Sequence, residues 1–150
     1  MYDNVLVPTD GSDASLEAVD HAIDVARTFD ATLHTLYVVE LSALPAEFDP
    51  ARVYDELEEE GRSAVGVVTD RADDADVPVE AFVGSGPPHR AILDYVDEHD
   101  VDLIVMGTHG RTGLDRYLLG SVTEKVVRLS NVPVLTVRTG PRSESEDGES

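Results

Sequence analysis

Cysteine is absent from the 150-residue chain, which excludes disulfides and thiolate metal sites at the outset. Cations are scarce. Eleven lysines and arginines stand against 31 aspartates and glutamates, a formal net charge of −20, and Lys125 is the single lysine. A surface of that sign repels nucleic acid and anionic membranes, so neither is an expected partner. No apolar run approaches the roughly eighteen residues of a membrane span. The start, Met1-Tyr2-Asp3-Asn4, lacks the basic and then apolar pattern of a secretory signal, so a cytoplasmic location is expected. The five histidines do not pair at metal-ligand spacing, and no protein metal site is expected.

What is present is a regular alternation of two hydrophobic periods over a length that suits a single domain. Asn4 to Pro8, Ala31 to Val39, Val79 to Val83, Val101 to Met106 and Val132 to Val137 are short, apolar and β-branched, and read as buried strands. Between them lie helical patterns. Leu16, Val19, Ile23, Ala26 and Phe29 recur at three- and four-residue steps after the capping turn Asp10-Gly11-Ser12-Asp13. Ala51 to Ala75 reads as one long helix with Val53, Leu57, Ala64, Val68, Ala72 and Ala75 inward, although Gly61 and Gly66 weaken its continuity. Gly84-Ser85-Gly86-Pro87-Pro88 opens a helix with Ile92 and Val96 facing the core, and Ser121 to Leu129 forms another. Leu41 to Pro50 reads as a loop. Gly140 to Ser150, with four acids and no apolar residue, is expected to be a disordered acidic tail on a domain spanning residues 1–139. Strictly alternating strands and helices argue for an α/β fold, a three-layer sandwich in which a five-stranded parallel, doubly wound sheet carries helices on both faces.

The segment Gly107-Thr108-His109-Gly110, followed after nine residues by Gly120-Ser121, lies between a buried strand and a helix start. Glycine lets a ligand approach the backbone closely, and the unpaired N–H groups of a helix start attract anions. The window from Gly107 to Ser130 holds four cations and two anions, a net of +2, so the remainder of the chain carries −22. An anionic ligand suits the one locally cationic segment.

This Gly-x2-Gly-x9-Gly-Ser spacing resembles the ATP-binding signature of the universal stress proteins. Val5-Leu6-Val7-Pro8-Thr9-Asp10-Gly11-Ser12 is similar to the family's first strand and turn, Tyr37-Val38-Val39-Glu40 to the end of its second strand, and Val132 to Val137 to its last. The resemblance covers about residues 2 to 138 and implies the strand order 3-2-1-4-5. In that order the sheet reverses between its first and fourth strands, placing a ligand crevice at their carboxyl ends, where Asp10 and Gly107 lie.

The resemblance also implies site residues. In family members that bind ATP, the residues matching Pro8 and Asp10 lie against base and ribose, the one matching Val38 packs on adenine, and the one matching Met106 borders the same pocket. Thr9 lies between the first pair. Gly107, Gly110 and Gly120 shape the phosphate turn, and the backbone of Ser121, Val122 and Thr123 offers donors. The Ser121 hydroxyl either caps the helix or meets a phosphate. His109 contacts ligand or faces solvent, and Arg111 reaches phosphate, closes the loop or meets a second subunit. Any Mg²⁺ would arrive with the triphosphate and keep most of its waters.

Signs of catalysis are few. The Gly-x-x-x-x-Gly-Lys-Ser/Thr run of P-loop enzymes is missing, and no nucleophile–base pair is legible. The expectation is an ATP-binding stress-response regulator without catalytic residues, with slow ATP hydrolysis at most. Its nucleotide state would bias conformation or the choice of an unidentified protein partner. Two alternatives stand beside it: an ATP-consuming enzyme whose second substrate would lie near Leu41 to Pro50, and a nucleotide-free dimeric interaction module. The resemblance further implies a homodimer through the edge strand Val132 to Val137. The acidic balance points to a cytosol of very high salt, since such a chain repels itself when unscreened.

Overall fold

The computed structural model describes residues 1–40, 49–108 and 120–138. Nine elements alternate along it: β1 (Asn4–Pro8), α1 (Asp13–Phe29), β2 (Thr32–Val39), α2 (Pro50–Asp74), β3 (Val79–Ser85), α3 (Pro88–Glu98), β4 (Leu103–Gly107), α4 (Ser121–Leu129) and β5 (Val134–Val137). All strand pairs are parallel, and the sheet order is β3-β2-β1-β4-β5, as expected. The expected acidic tail and most of the expected loop at Leu41 to Pro50 lie outside the described residues.

Strand alternation sends successive side chains to opposite faces, and both faces are covered. Val5, Val7, Leu33, Leu103 and Val105 pack against α1 and α2 through Ala18, Val19, Ala22, Val68 and Ala72. Leu6, Leu36, Ile104 and Met106 pack on the other side against Ile92, Tyr95 and Val96 of α3 and Val126 of α4.

Several boundaries differ from the sequence reading. β4 starts at Leu103 rather than Val101, and β5 at Val134 rather than Val132. β3 runs on to Ser85, because Gly84 and Ser85 pair with Val38 and Val39 instead of opening the next helix. Pro50 belongs to α2, not to the loop: it occupies the first turn, where a missing N–H costs nothing, and the Asp49 side chain accepts from the Ala51 N–H at 3.1 Å. α2 is unbroken through both glycines. Phe29, expected inward, is 40% exposed and meets Tyr2 edge-on at 5.1 Å.

Three helices stop by one device. Asp30, Asp76 and Asp100 take φ of 57°, 60° and 54°, the left-handed region that an aspartate tolerates better than most residues. The following apolar residue then bonds back into the last turn: Ala31 N–H to Ala26 C=O, Val77 N–H to Ala72 C=O, and Val101 N–H to Val96 C=O, at 2.8, 2.9 and 3.1 Å. Each chain reversal therefore delivers a buried residue just before the next strand.

At the end of the sheet where β1 begins, His34 is buried between two partners. Its Nε2 lies 3.0 Å from Asn4 Oδ1, and its Nδ1 lies 2.6 Å from the Tyr95 hydroxyl. Asn4 Nδ2 donates to the Asp100 carbonyl at 3.3 Å, which orients the amide and leaves its oxygen facing the imidazole. The neutral ring therefore donates from Nε2 and accepts from Tyr95 at Nδ1. Tyr95 stacks on His99 at 3.8 Å between ring centroids. Burial pushes the His34 pKa down, against an opposing pull from Glu80 and with further lowering by His99. Burial, with help from Glu80, pushes the Tyr95 phenol up and keeps it a donor.

Below pH 6.5 the unfolded chain binds a proton that the native His34 refuses, so stability present above that value is lost as pH falls. Urea titrations between pH 7 and 5.5 are expected to show a slope reaching at most about 1.4 kcal/mol per pH unit from this group. His34→Gln should flatten it. An equal slope in the variant would remove His34 as the source.

Candidate functional site

A crevice of about 430 Å³ opens where the sheet order reverses, at the carboxyl ends of β1 and β4. Its floor and walls come from five stretches of chain: Pro8 at the end of β1 with Thr9 and Asp10 after it, and Ser15 from α1; Leu36 to Glu40 at the end of β2; Leu57 of α2; Pro88 and Ile92 of α3; and Met106 and Gly107 with Gly120 to Thr123. Ten of the thirteen residues expected from the sequence converge here: Pro8, Thr9, Asp10, Val38, Met106, Gly107, Gly120, Ser121, Val122 and Thr123. The other three, His109, Gly110 and Arg111, lie outside the described residues.

The first wall is a tight turn. Thr9 continues the sheet, its N–H donating to the Leu36 carbonyl at 3.0 Å. Gly11 then takes φ of 82°, a conformation strained for any L side chain, and reverses the chain. Asp10 folds back so that its Oδ1 accepts from the Ser12 N–H at 2.9 Å. The cap of α1 is Ser12, whose hydroxyl accepts from the Ser15 N–H at 3.2 Å. Asp10 therefore shapes the turn without capping the helix, and it is one of the residues lining the crevice.

The opposite wall is the start of α4. The Thr108 N–H donates to Val137 C=O at 3.0 Å, and Gly120 N–H returns to Thr108 C=O at 2.6 Å. That second bond joins the two flanks of the glycine segment across the strand end. Thr123 adds a tie that sequence reading missed: its Oγ1 donates to Gly107 C=O at 2.9 Å, pinning the first turn of α4 to β4. Gly120 is the N-cap, with no side-chain bond to the helix, so the alternative that Ser121 caps α4 does not hold. Ser121 is exposed and lines the crevice at the first turn of α4. The N–H groups of that turn and the positive end of the helix dipole suit an anion of phosphate size.

Between the polar walls the lining is apolar. Val38, half-buried, and Met106, 7% exposed, stand near Ile92 on the α3 side, and Leu57 lies on the α2 side. Soft walls with a few fixed polar groups describe a site for a small, partly aromatic ligand. Ser15, Tyr37, Glu40, Pro88 and Ile92 are lining residues that the sequence did not mark. Ile92 read as core, and a serine in the first turn of a helix reads as a capping residue.

Among the described residues there is no group of three or more histidines or carboxylates able to hold a metal ion, and no helix long and apolar enough to cross a membrane.

The profile of the Universal stress protein family matches residues 1–138. Universal stress protein MJ0531 of Methanocaldococcus jannaschii is 43% identical over 141 residues, covering 92% of this chain and 83% of that protein. The solved structure of MJ0577 from the same organism superposes with a TM-score of 0.85 at 31% identity, covering 94% of this chain and 99% of that one. A universal stress protein solved in complex with cAMP superposes with a TM-score of 0.70 at 32% identity, covering 93% and 98%. With the fold, the crevice and these likenesses in agreement, the chain belongs to the universal stress protein family.

Proposed function

We propose that the crevice binds an adenine nucleotide, ATP by preference, and that the bound nucleotide biases the protein's conformation or its choice of protein partner. The observation that carries this reading is the convergence of the Asp10 turn and the uncapped start of α4 on one apolar-walled crevice. In this reading Val38 and Met106 flank the purine, and Asp10 accepts from ribose hydroxyls. The Ser121 hydroxyl and the N–H groups of Ser121, Val122 and Thr123 receive phosphate oxygens, with Gly107 and Gly120 allowing close approach. Hydroxyl and N–H donors suit phosphate better than a bare cation, so Mg²⁺ would enter with the triphosphate. The cAMP complex of one relative supports an adenine ligand.

A homodimer belongs to the same proposal. Among the described residues β5 has a neighbour on one side only, and Leu135 on it is 41% exposed. A high-salt setting belongs to it as well, on the strength of the net charge.

One preparation tests both parts. Protein purified in molar potassium chloride is denatured, and released nucleotide is identified by mass spectrometry. Stoichiometric adenine nucleotide is expected from the wild type. Ser121→Glu should retain none, because it sets a carboxylate where phosphate would sit while suiting a helix start. No nucleotide in the wild type, together with no heat of binding on adding Mg·ATP, would remove the reading. Scattering mass should equal two chains; the mass of one chain removes the edge pairing.

A further inference from the structure

We infer that Ser15 is a positioning residue for ribose recognition, acting through Thr9 to fix the turn that presents Asp10. The inference rests on the nucleotide reading of the crevice.

Ser15 is the third residue of α1 and is 8% exposed, and Thr9 beside it is 6% exposed. Two buried hydroxyls in a wall that could have been alanine and valine need a reason, since buried polar groups cost free energy unless they are paired. The pairing is complete and its direction is determined. The Ser15 hydroxyl donates to the Ser12 carbonyl at 2.8 Å, which uses its only proton. In its 3.0 Å bond with Thr9 it therefore accepts, and Thr9 donates. Thr9 Oγ1 in turn accepts from the Gly11 N–H at 3.1 Å. The chain of bonds thus runs from the Gly11 N–H through the Thr9 and Ser15 hydroxyls, each donating to the next, to the Ser12 carbonyl, which accepts. It starts on one side of the Gly11–Ser12 peptide and ends on the other, so it clamps the backbone just after Asp10. Inside that clamp the Ser12 N–H holds Asp10 Oδ1 at 2.9 Å.

This chain of bonds ties the residue just after β1 to the N-cap and first turn of α1. Its effect is confined to a turn whose glycine already adopts φ of 82°. Without the clamp the turn gains alternative conformations, and a carboxylate misplaced by about 1 Å loses most of a directed hydrogen bond. The Ser15 oxygen therefore acts on the part of the ligand that Asp10 reads, not on purine or phosphate.

The test compares ATP with 2′-deoxy-ATP and 3′-deoxy-ATP by titration calorimetry in molar potassium chloride. The proteins are the wild type, Ser15→Ala, Thr9→Val, Asp10→Ala and the double variant Ser15→Ala/Asp10→Ala. Alanine favours the helix, and valine matches threonine in shape, so two independent variants break the clamp; circular dichroism confirms that each is folded. Ser15→Ala and Thr9→Val are each expected to weaken ATP about tenfold and to bring the ATP-to-deoxy-ATP affinity ratio toward one. Adding Ser15→Ala to Asp10→Ala should change nothing further. Equal weakening of all three nucleotides, or additive effects in the double variant, would reduce Ser15 to ordinary packing and overturn the inference. So would a wild type that binds ATP without preferring it to either deoxy analogue, which leaves the nucleotide site standing. A wild type that binds none of the three removes the site and the inference together.

Discussion

Dialysed from molar potassium chloride into millimolar salt, the protein is expected to lose its fold, with circular dichroism and tryptic susceptibility changing together. The cause is the excess of 31 acidic over 11 basic side chains. The ion pairs among the described residues do little against it. Arg27–Asp24, Arg62–Glu58, Arg71–Asp20 and Arg128–Glu124 span 2.8 to 3.7 Å, and most of these side chains are well exposed, so each contributes at most about 1 kcal/mol. Three of the four join residues on one helix, leaving Arg71–Asp20 as the pair that ties α2 to α1. The remaining carboxylates repel one another over about 10 Å at 0.1 M salt and over only about 3 Å at 1 M. Against a typical net stability of about 5–15 kcal/mol, removing that screening is decisive. A folded fraction unchanged between millimolar and molar salt would withdraw the high-salt proposal.

Replacing Gly61 with valine is expected to lower stability by about 3 kcal/mol or more, a fall in Tm of roughly 6–12 °C. A Cβ at Gly61 would lie 2.6 Å from Cδ1, 3.0 Å from Cγ and 3.1 Å from Cε1 of Tyr37. Those atoms belong to the body of a ring that is 4% exposed, packed with Val39, Val65, Tyr54 and Leu57. The ring cannot swing clear, because Tyr37 is held in β2 and pairs with Val83 of β3. Gly61→Ala is milder, its gain in helix propensity of about 1 kcal/mol partly offsetting the clash. Gly66 is the control: a Cβ there meets nothing within 4 Å, so Gly66→Ala should stabilise by about 0.5–1 kcal/mol. Tyr37 also lines the crevice, so Gly61→Val should weaken nucleotide binding while Gly66→Ala leaves it unchanged. Equal melting temperatures for the two alanine variants would show that the α2–β2 contact is not as tight as described.

The two glycines of α2 illustrate what a sequence conveys. Both carry the same propensity penalty within a helical pattern, and local reading marks both as weak points. Only the packed structure distinguishes the one required by a neighbouring ring from the one that touches nothing. The same holds for the histidines. His34, Tyr95 and Asn4 are separated by up to 91 positions, and no periodicity announces that they form one hydrogen-bonded group.

From the sequence alone, short apolar β-branched runs and apolar residues at three- and four-residue steps determined the order and type of every element, because both patterns arise within a few residues of themselves. The glycine spacing from Gly107 to Gly120 marked one wall of the crevice by local turn chemistry, and the resemblance to the family added Pro8, Thr9 and Asp10 on the other. Where strands end, which side chain of the Asp10 turn caps α1, and what Thr123 and Ser15 hold were decided by tertiary structure. Those outcomes depend on which distant backbone carbonyl, ring or hydroxyl arrives alongside. Handed crossovers and the packing of both sheet faces set that arrival, and no stretch of the chain carries it by itself.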